Sequence, residues 1–207
     1  MRSLWTANLT LANRITLGRL LLIPVFILLT LYYMQGVREK VPNEMLRWIA
    51  MMVYVITCLT DALDGYFARS RNERTRLGTL LDPLADKTLL ISALVLLTGP
   101  WGEGCFNPHL PLWYVFLVIS RDVLLVLGAL LIHVTVGHAE VKPRISGKVA
   151  TFLQMTLILW VLAQVPGADH FQWLLWTAAG FTLLSALNYI SDGIRQLEKA
   201  HAHETHS

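Results

Sequence analysis

Charge is scarce in this chain. Of 207 residues only 15% are Asp, Glu, Lys or Arg, whereas 55% are hydrophobic; a soluble domain carries about 25% charged residues. Cysteine is scarcer still. Cys58 and Cys105 give no disulfide framework and no metal-ligand spacing, and Cys58, inside an apolar run, is expected as a small packed side chain. Polar stretches long enough to enclose a core of their own are missing, which excludes a separate soluble domain. No small-x-small cleavage site precedes polar sequence after the first apolar run, so that run is expected to be retained rather than removed as a signal peptide. Internal repeats are also lacking.

What the chain has instead is long apolar blocks separated by short polar loops. This pattern predicts an all-α integral membrane protein with six transmembrane helices, roughly Ile15–Tyr33, Leu46–Phe67, Asp82–Leu97, Leu112–Val134, Val149–Val165 and Phe171–Ile194. Residues 1–14, with Trp5, Leu9, Leu11 and Arg14, read as a short interfacial helix, residues 15–194 as the six-span domain, and residues 195–207 as a polar cytoplasmic tail. The third and fifth runs are short against the roughly 20 residues a span requires. The third also begins at a carboxylate, which places its start in a water-accessible cavity.

Basic residues set the expected orientation. With six spans, both termini share a side with the 68–81 and 135–148 loops. That side holds twelve of the chain's 17 Lys and Arg residues, against Arg38, Lys40 and Arg47 on the other. The twelve-residue side is therefore expected to be cytoplasmic, in a cell inner (plasma) membrane. Trp48, Trp101, Trp113, Trp173 and Trp176 fall near the outer span ends, as an aromatic belt does.

Against this background stand four aspartates: Asp61, Asp64, Asp82 and Asp86. Carboxylates are costly in or near a bilayer and require partners. On a helix, Asp61, Asp64, Gly65 and Ala68 fall at offsets 0, 3, 4 and 7, which is one face. Gly65 and Ala68 leave room for a ligand against the backbone, and Arg69 follows at the mouth. After a polar loop, Asp82-Pro83 forms a helix start, with the aspartate as N-cap and the proline at the first helical position. Asp86 comes one turn later, and the unsatisfied N–H groups there favour an anion. All-carboxylate ligation suits Mg²⁺ or Mn²⁺. Four aspartates can bridge two such ions, a device for in-line displacement at phosphorus. The residues alone thus reach metal-assisted phosphoryl chemistry on a membrane-resident substrate.

At these positions the sequence resembles the CDP-alcohol phosphatidyltransferase family, whose pattern is D-x2-D-G-x2-A-R-x8-G-x3-D-x3-D. Asp61, Asp64, Gly65, Ala68, Arg69, Gly78, Asp82 and Asp86 match it without departure. The resemblance implies a six-span homodimer that transfers a phosphatidyl group from CDP-diacylglycerol to an alcohol and releases CMP. It further implies that Asp61, Asp64, Asp82 and Asp86 hold the metals and that Asp86 doubles as general base. Gly65, Ala68, Arg69, Thr75 and Gly78 are implied to line the CDP-lipid site. Asn13, in the segment Asn13-Arg14-Ile15-Thr16-Leu17-Gly18-Arg19, is assigned to that site as well.

The surroundings resemble the bacterial branch of this family whose acceptor is glycerol 3-phosphate. Leu77 to Lys87 matches that branch's Asp-Pro-x-Ala-Asp-Lys stretch, and Ser146-Gly147-Lys148, Thr151 and Gln154 resemble the start of its fifth span. Ala12 replaces a proline of its N-terminal segment, and Arg121-Asp122 stands where the branch has Arg-Glu. An Arg-Asp pair also resembles the cardiolipin synthases of the superfamily, whose acceptor is phosphatidylglycerol. A phosphorylated acceptor needs cations, and Arg121, Lys142, Arg144 and Lys148 are the candidates. Arg121 paired with Asp122, and Lys142 and Arg144 as plain loop charges, are the alternatives for these residues. For the whole chain, an ion transporter with a carboxylate relay is the reading from a different class. Transporters place acids at mid-membrane, between matching helix breaks, whereas here the acids gather beside four arginines. No nucleic-acid partner is expected, and a bacterial rather than organellar membrane is, since no basic, serine-rich presequence stands at the N-terminus.

Overall fold

The computed structural model describes residues 11–71, 87–98, 102–136 and 145–204; within helices, residues 11–17, 61–71, 129, 131–136 and 195–204 are described by backbone alone. Among the described residues the chain is all-helical: α1 (Leu11–Arg38), α2 (Glu44–Arg71), α3 (Lys87–Leu96), α4 (Leu112–Val136), α5 (Ile145–Ala163) and α6 (Ala168–Glu204). Residues 11–14, expected in the interfacial segment, occupy the first turn of α1, and α6 carries helix into the expected tail.

Three stretches are long and apolar enough to cross a membrane: Gly18–Arg38 of α1, Ile145–Ala163, and Ala168–Ile194 of α6. Only 28%, 33% and 28% of their apolar windows are buried within the protein, so most of that surface faces outward. Leu21, Phe116, Phe152 and Trp173 are 71%, 73%, 68% and 77% exposed. Water does not tolerate so much apolar surface on a monomer; lipid does. This is a membrane protein.

The hydroxyls of these helices behave accordingly. Thr30, Thr57, Thr60, Thr151, Thr156, Thr177 and Thr182 each donate to the carbonyl four residues earlier, at 2.6–3.1 Å. A hydroxyl in an apolar layer needs a partner, and its own helix supplies one.

Two compact units divide the chain, Met1–Phe106 and Asn107–Ser207. In the first, α1 packs on α2. Their link is closed by a Schellman motif: Val41 N–H donates to the Gly36 carbonyl (2.9 Å) and Lys40 N–H to that of Val37 (3.1 Å), with Lys40 at φ 60°. Gly36 suits the turn, because a Cβ there would crowd the Val41 carbonyl oxygen at 3.0 Å. Asn43 caps α2 by accepting from the Met45 N–H at 3.1 Å. Phe26 and Tyr54 are fully buried and meet at 5.6 Å between ring centroids. Tyr33 and Phe106 pair similarly at 5.5 Å. Arg19 of α1 is buried, at 2% exposure.

In the second unit α6 packs against both α4 and α5. Trp113 stacks on Trp176 (5.2 Å) and Arg121 bonds Ser185, so α4 and α6 run parallel. Ser146 bonds Asn188 and Gln154 bonds Thr182, so α5 runs antiparallel to α6. The core of this unit is Tyr114, Val118, Ala150, Leu157, Ile158, Val161, Leu175 and Ala178.

Burial should separate two substitutions on α1. Phe26→Ala removes a fully enclosed ring and should cost about 3–5 kcal/mol, seen as a lower thermal midpoint in detergent. Leu21→Ala, at an outward position, should leave the midpoint within the scatter of the measurement.

Candidate active site

Asp61, Asp64, Gly65, Ala68 and Arg69 all lie in the last turns of α2, which continues without a break to Arg71. At about 3.6 residues per turn, positions 61, 64, 65 and 68 therefore share one side of α2. Oxygen donors three residues apart, with a glycine beside them, fit a hard dication by the chemistry of the donor set. Asp61 and Asp64 would hold it from α2. Asn13 lies in the first turn of α1. Thr75, Gly78, Asp82 and Asp86 lie outside the described residues, as do Lys142 and Arg144; α3 is described from Lys87, the residue after Asp86.

The second unit contains a polar cluster of its own. Arg121 of α4 is only 6% exposed and Asp122 8%. The Arg121 Nη1 donates to Asp122 Oδ1 at 2.8 Å, and Nη2 donates to Ser185 Oγ of α6 at 2.9 Å. Its Nε is buried and has no acceptor among the described residues. A buried donor left without a partner costs roughly 1–3 kcal/mol.

The guanidinium sits against the start of α5. A Cβ on Gly147 would lie 3.1 Å from Arg121 Nη2 and 3.4 Å from Ser185 Oγ. The first-turn N–H groups of a helix lack intrahelical acceptors, and the dipole there favours an anion. The beginning of α5 thus brings together backbone donors without intrahelical acceptors, a small residue and a cation whose Nε has no acceptor among the described residues, which is what suits an oxyanion. Next to Gly147, Lys148 is exposed on the same turn. Asn188 Nδ2 donates to Ser146 Oγ at 3.3 Å. One level further along α5, Gln154 Nε2 donates to Thr182 Oγ1 at 3.2 Å, while the fully buried Gln154 Oε1 has no donor among the described residues.

Of the four cations expected to hold acceptor phosphate, Arg121 and Lys148 are therefore in described helices, one buried in the cluster and one exposed. The expected alternative for Arg121, pairing with Asp122, is present, and it occupies only one edge of the fork. Ser185 was not singled out by sequence reasoning. A lone serine in an apolar helix carries no signal until the arginine that meets it, 64 residues earlier, is known.

A family model for CDP-alcohol phosphatidyltransferases matches residues 9–184. The chain belongs to that family. It is 34% identical over 192 residues to a CDP-diacylglycerol–glycerol-3-phosphate 3-phosphatidyltransferase of Bacillus subtilis, covering 87% of this chain and 93% of that one. It is 32% identical over 193 residues to the Escherichia coli K12 protein of the same name, covering 86% and 91%. A probable phosphatidylglycerophosphate synthase of Mycobacterium tuberculosis is 32% identical over 190 residues, covering 90% and 83%. The family match takes in the α2 motif together with Arg121, Asp122 and Gly147, and it ends one residue before Ser185.

Breaking the buried pair should be worse than removing it. Asp122→Ala leaves a guanidinium without its counter-ion and should destabilise by about 3–5 kcal/mol. Arg121→Met combined with Asp122→Leu should melt at a higher temperature than Asp122→Ala alone, measured by thermal unfolding of the purified protein in detergent.

Proposed function

We propose that this chain transfers the phosphatidyl group of CDP-diacylglycerol to glycerol 3-phosphate, giving phosphatidylglycerophosphate and CMP. The observation that carries this reading is the complete eight-position aspartate motif in a chain similar over most of its length to proteins named for that reaction. The cluster around Arg121 favours a phosphorylated acceptor over a neutral alcohol: a buried guanidinium whose Nε has no acceptor among the described residues, beside a helix start, suits an oxyanion.

Each residue then has a task. Asp61, Asp64, Asp82 and Asp86 hold Mg²⁺ or Mn²⁺, which when bound neutralises diphosphate charge. Asn13, Gly65, Ala68, Arg69, Thr75 and Gly78 seat the cytidine diphosphate portion; the small residues let it approach the helix backbone and Arg69 offers its fork to phosphate oxygen. Arg121, Lys142, Arg144 and Lys148 bind the acceptor phosphate. Asp86 takes the proton of the acceptor hydroxyl as its oxygen bonds to the phosphatidyl phosphorus. The bond from that phosphorus to the bridging oxygen breaks, and the electron pair leaves with CMP.

The same reading completes the architecture. α2, α3 and α4 join the three apolar stretches as further spans, making six, with both termini and the aspartates on the cytoplasmic face of a bacterial inner membrane, as the twelve-to-three distribution of basic residues favours. The protein acts as a homodimer.

CMP release from CDP-diacylglycerol should require Mg²⁺ or Mn²⁺, stop with EDTA and resume on metal addition. It should proceed with glycerol 3-phosphate and not with serine or inositol phosphate. Turnover with phosphatidylglycerol but not glycerol 3-phosphate would reassign the chain to cardiolipin synthesis. Asp86→Asn should lower kcat by at least about a hundredfold, within the range general-base removal produces, while inserting and melting as the parent protein does.

A further inference from the structure

We propose that Ser185 is a positioning residue for the acceptor, acting through Arg121, and that Gly147 is the space this arrangement requires. The proposal rests on the assignment of Arg121 to the acceptor phosphate. An arginine side chain has several rotatable bonds and can place its fork over a wide arc. Asp122, the next residue on α4, holds Nη1 at 2.8 Å, but a bond within one helix cannot fix the guanidinium relative to another. Ser185 does so: it receives Nη2 at 2.9 Å from a different helix, α6.

The opposite wall is α5. Gly147 comes so close that any Cβ would fall 3.1 Å from Nη2 and 3.4 Å from the Ser185 hydroxyl, so the guanidinium lies directly against the first turn of α5. The three helices of this unit thus contribute one element each: the fork from α4, the gap from α5 and the anchor from α6. With Nη1 and Nη2 each committed once, Nε stays buried and unpartnered among the described residues. Ser185 itself is 3% exposed, and its hydroxyl oxygen is engaged by Nη2. Its influence passes through the direction in which Arg121 donates.

The α5–α6 contact at Gln154 and Thr182 provides the contrast. There a neutral amide meets a hydroxyl that already donates to the Ala178 carbonyl at 2.7 Å, and no cation is oriented. That pair joins helices; the Ser185 contact aims a charge.

The test is steady-state CMP release by the purified full-length protein in detergent with saturating metal, varying each substrate in turn. Ser185→Ala removes one oxygen from a charged hydrogen bond and should raise KM for glycerol 3-phosphate roughly tenfold. KM for CDP-diacylglycerol and kcat should change by less than about threefold. Ser185→Thr, which keeps the hydroxyl, should recover most of the loss, and Gly147→Ala should raise the same KM. In an Arg121→Met background, Ser185→Ala should have no further effect on kcat/KM for the acceptor, because the group it positions is gone. An unchanged acceptor KM in Ser185→Ala, equal rises in both KM values, or additive losses in the double variant would each overturn the proposal. If the unaltered protein ignores glycerol 3-phosphate and accepts another alcohol, the acceptor assignment fails by itself. The same KM comparison made with the accepted alcohol then decides the role of Ser185.

Discussion

Polar groups that enter an apolar layer must carry a partner or find one, and the organisation of this protein follows from that requirement. Threonine hydroxyls turn back onto their own helices. The buried guanidinium takes a carboxylate from the adjacent residue and a hydroxyl from across the unit. Where a requirement is left open among the described residues, as at Arg121 Nε, a ligand has something to gain by arriving. Stability and binding are thus set by the same accounting of donors and acceptors, and the groups left wanting mark where chemistry is to be expected.

The two polar regions solve different problems. The end of α2 concentrates negative charge, which suits a diphosphate only with dications between. The start of α5 concentrates donors and positive charge, which suits a phosphate directly. A transferase joining a nucleotide-linked lipid to a phosphorylated alcohol has to hold two anionic substrates without letting their charges repel the pair apart. On the proposed reading, separate means of neutralisation, one through metal and one through arginine and backbone, would meet that need.

Much of this was legible in the sequence. The apolar runs, interrupted at each polar loop, marked the helices, because period and length suffice when nearly every position is apolar. The aspartate motif was legible since its information lies in local spacing, and α2 carries its first half on continuous helix. What stayed hidden was the second cluster. Arg121 was visible as an intramembrane charge, but Ser185, Asn188 and Thr182 look like ordinary interruptions in α6. Their meaning depends on contacts across 28 to 64 residues of sequence, which no local pattern encodes. Gly147 was noticed within Ser146-Gly147-Lys148, yet only the approach of Nη2 shows that a side chain there would crowd the guanidinium.

Apolar helices in lipid slide past one another at little cost, because leucine against leucine resembles leucine against an acyl chain. Among its described residues the second unit has three polar links between helices: Ser146 with Asn188, Arg121 with Ser185, and Gln154 with Thr182. A shift of α6 by one turn, about 5.4 Å, would break all three at once. These links therefore set the axial register of the bundle, and they sort a single alignment out of many that greasy surfaces alone would accept.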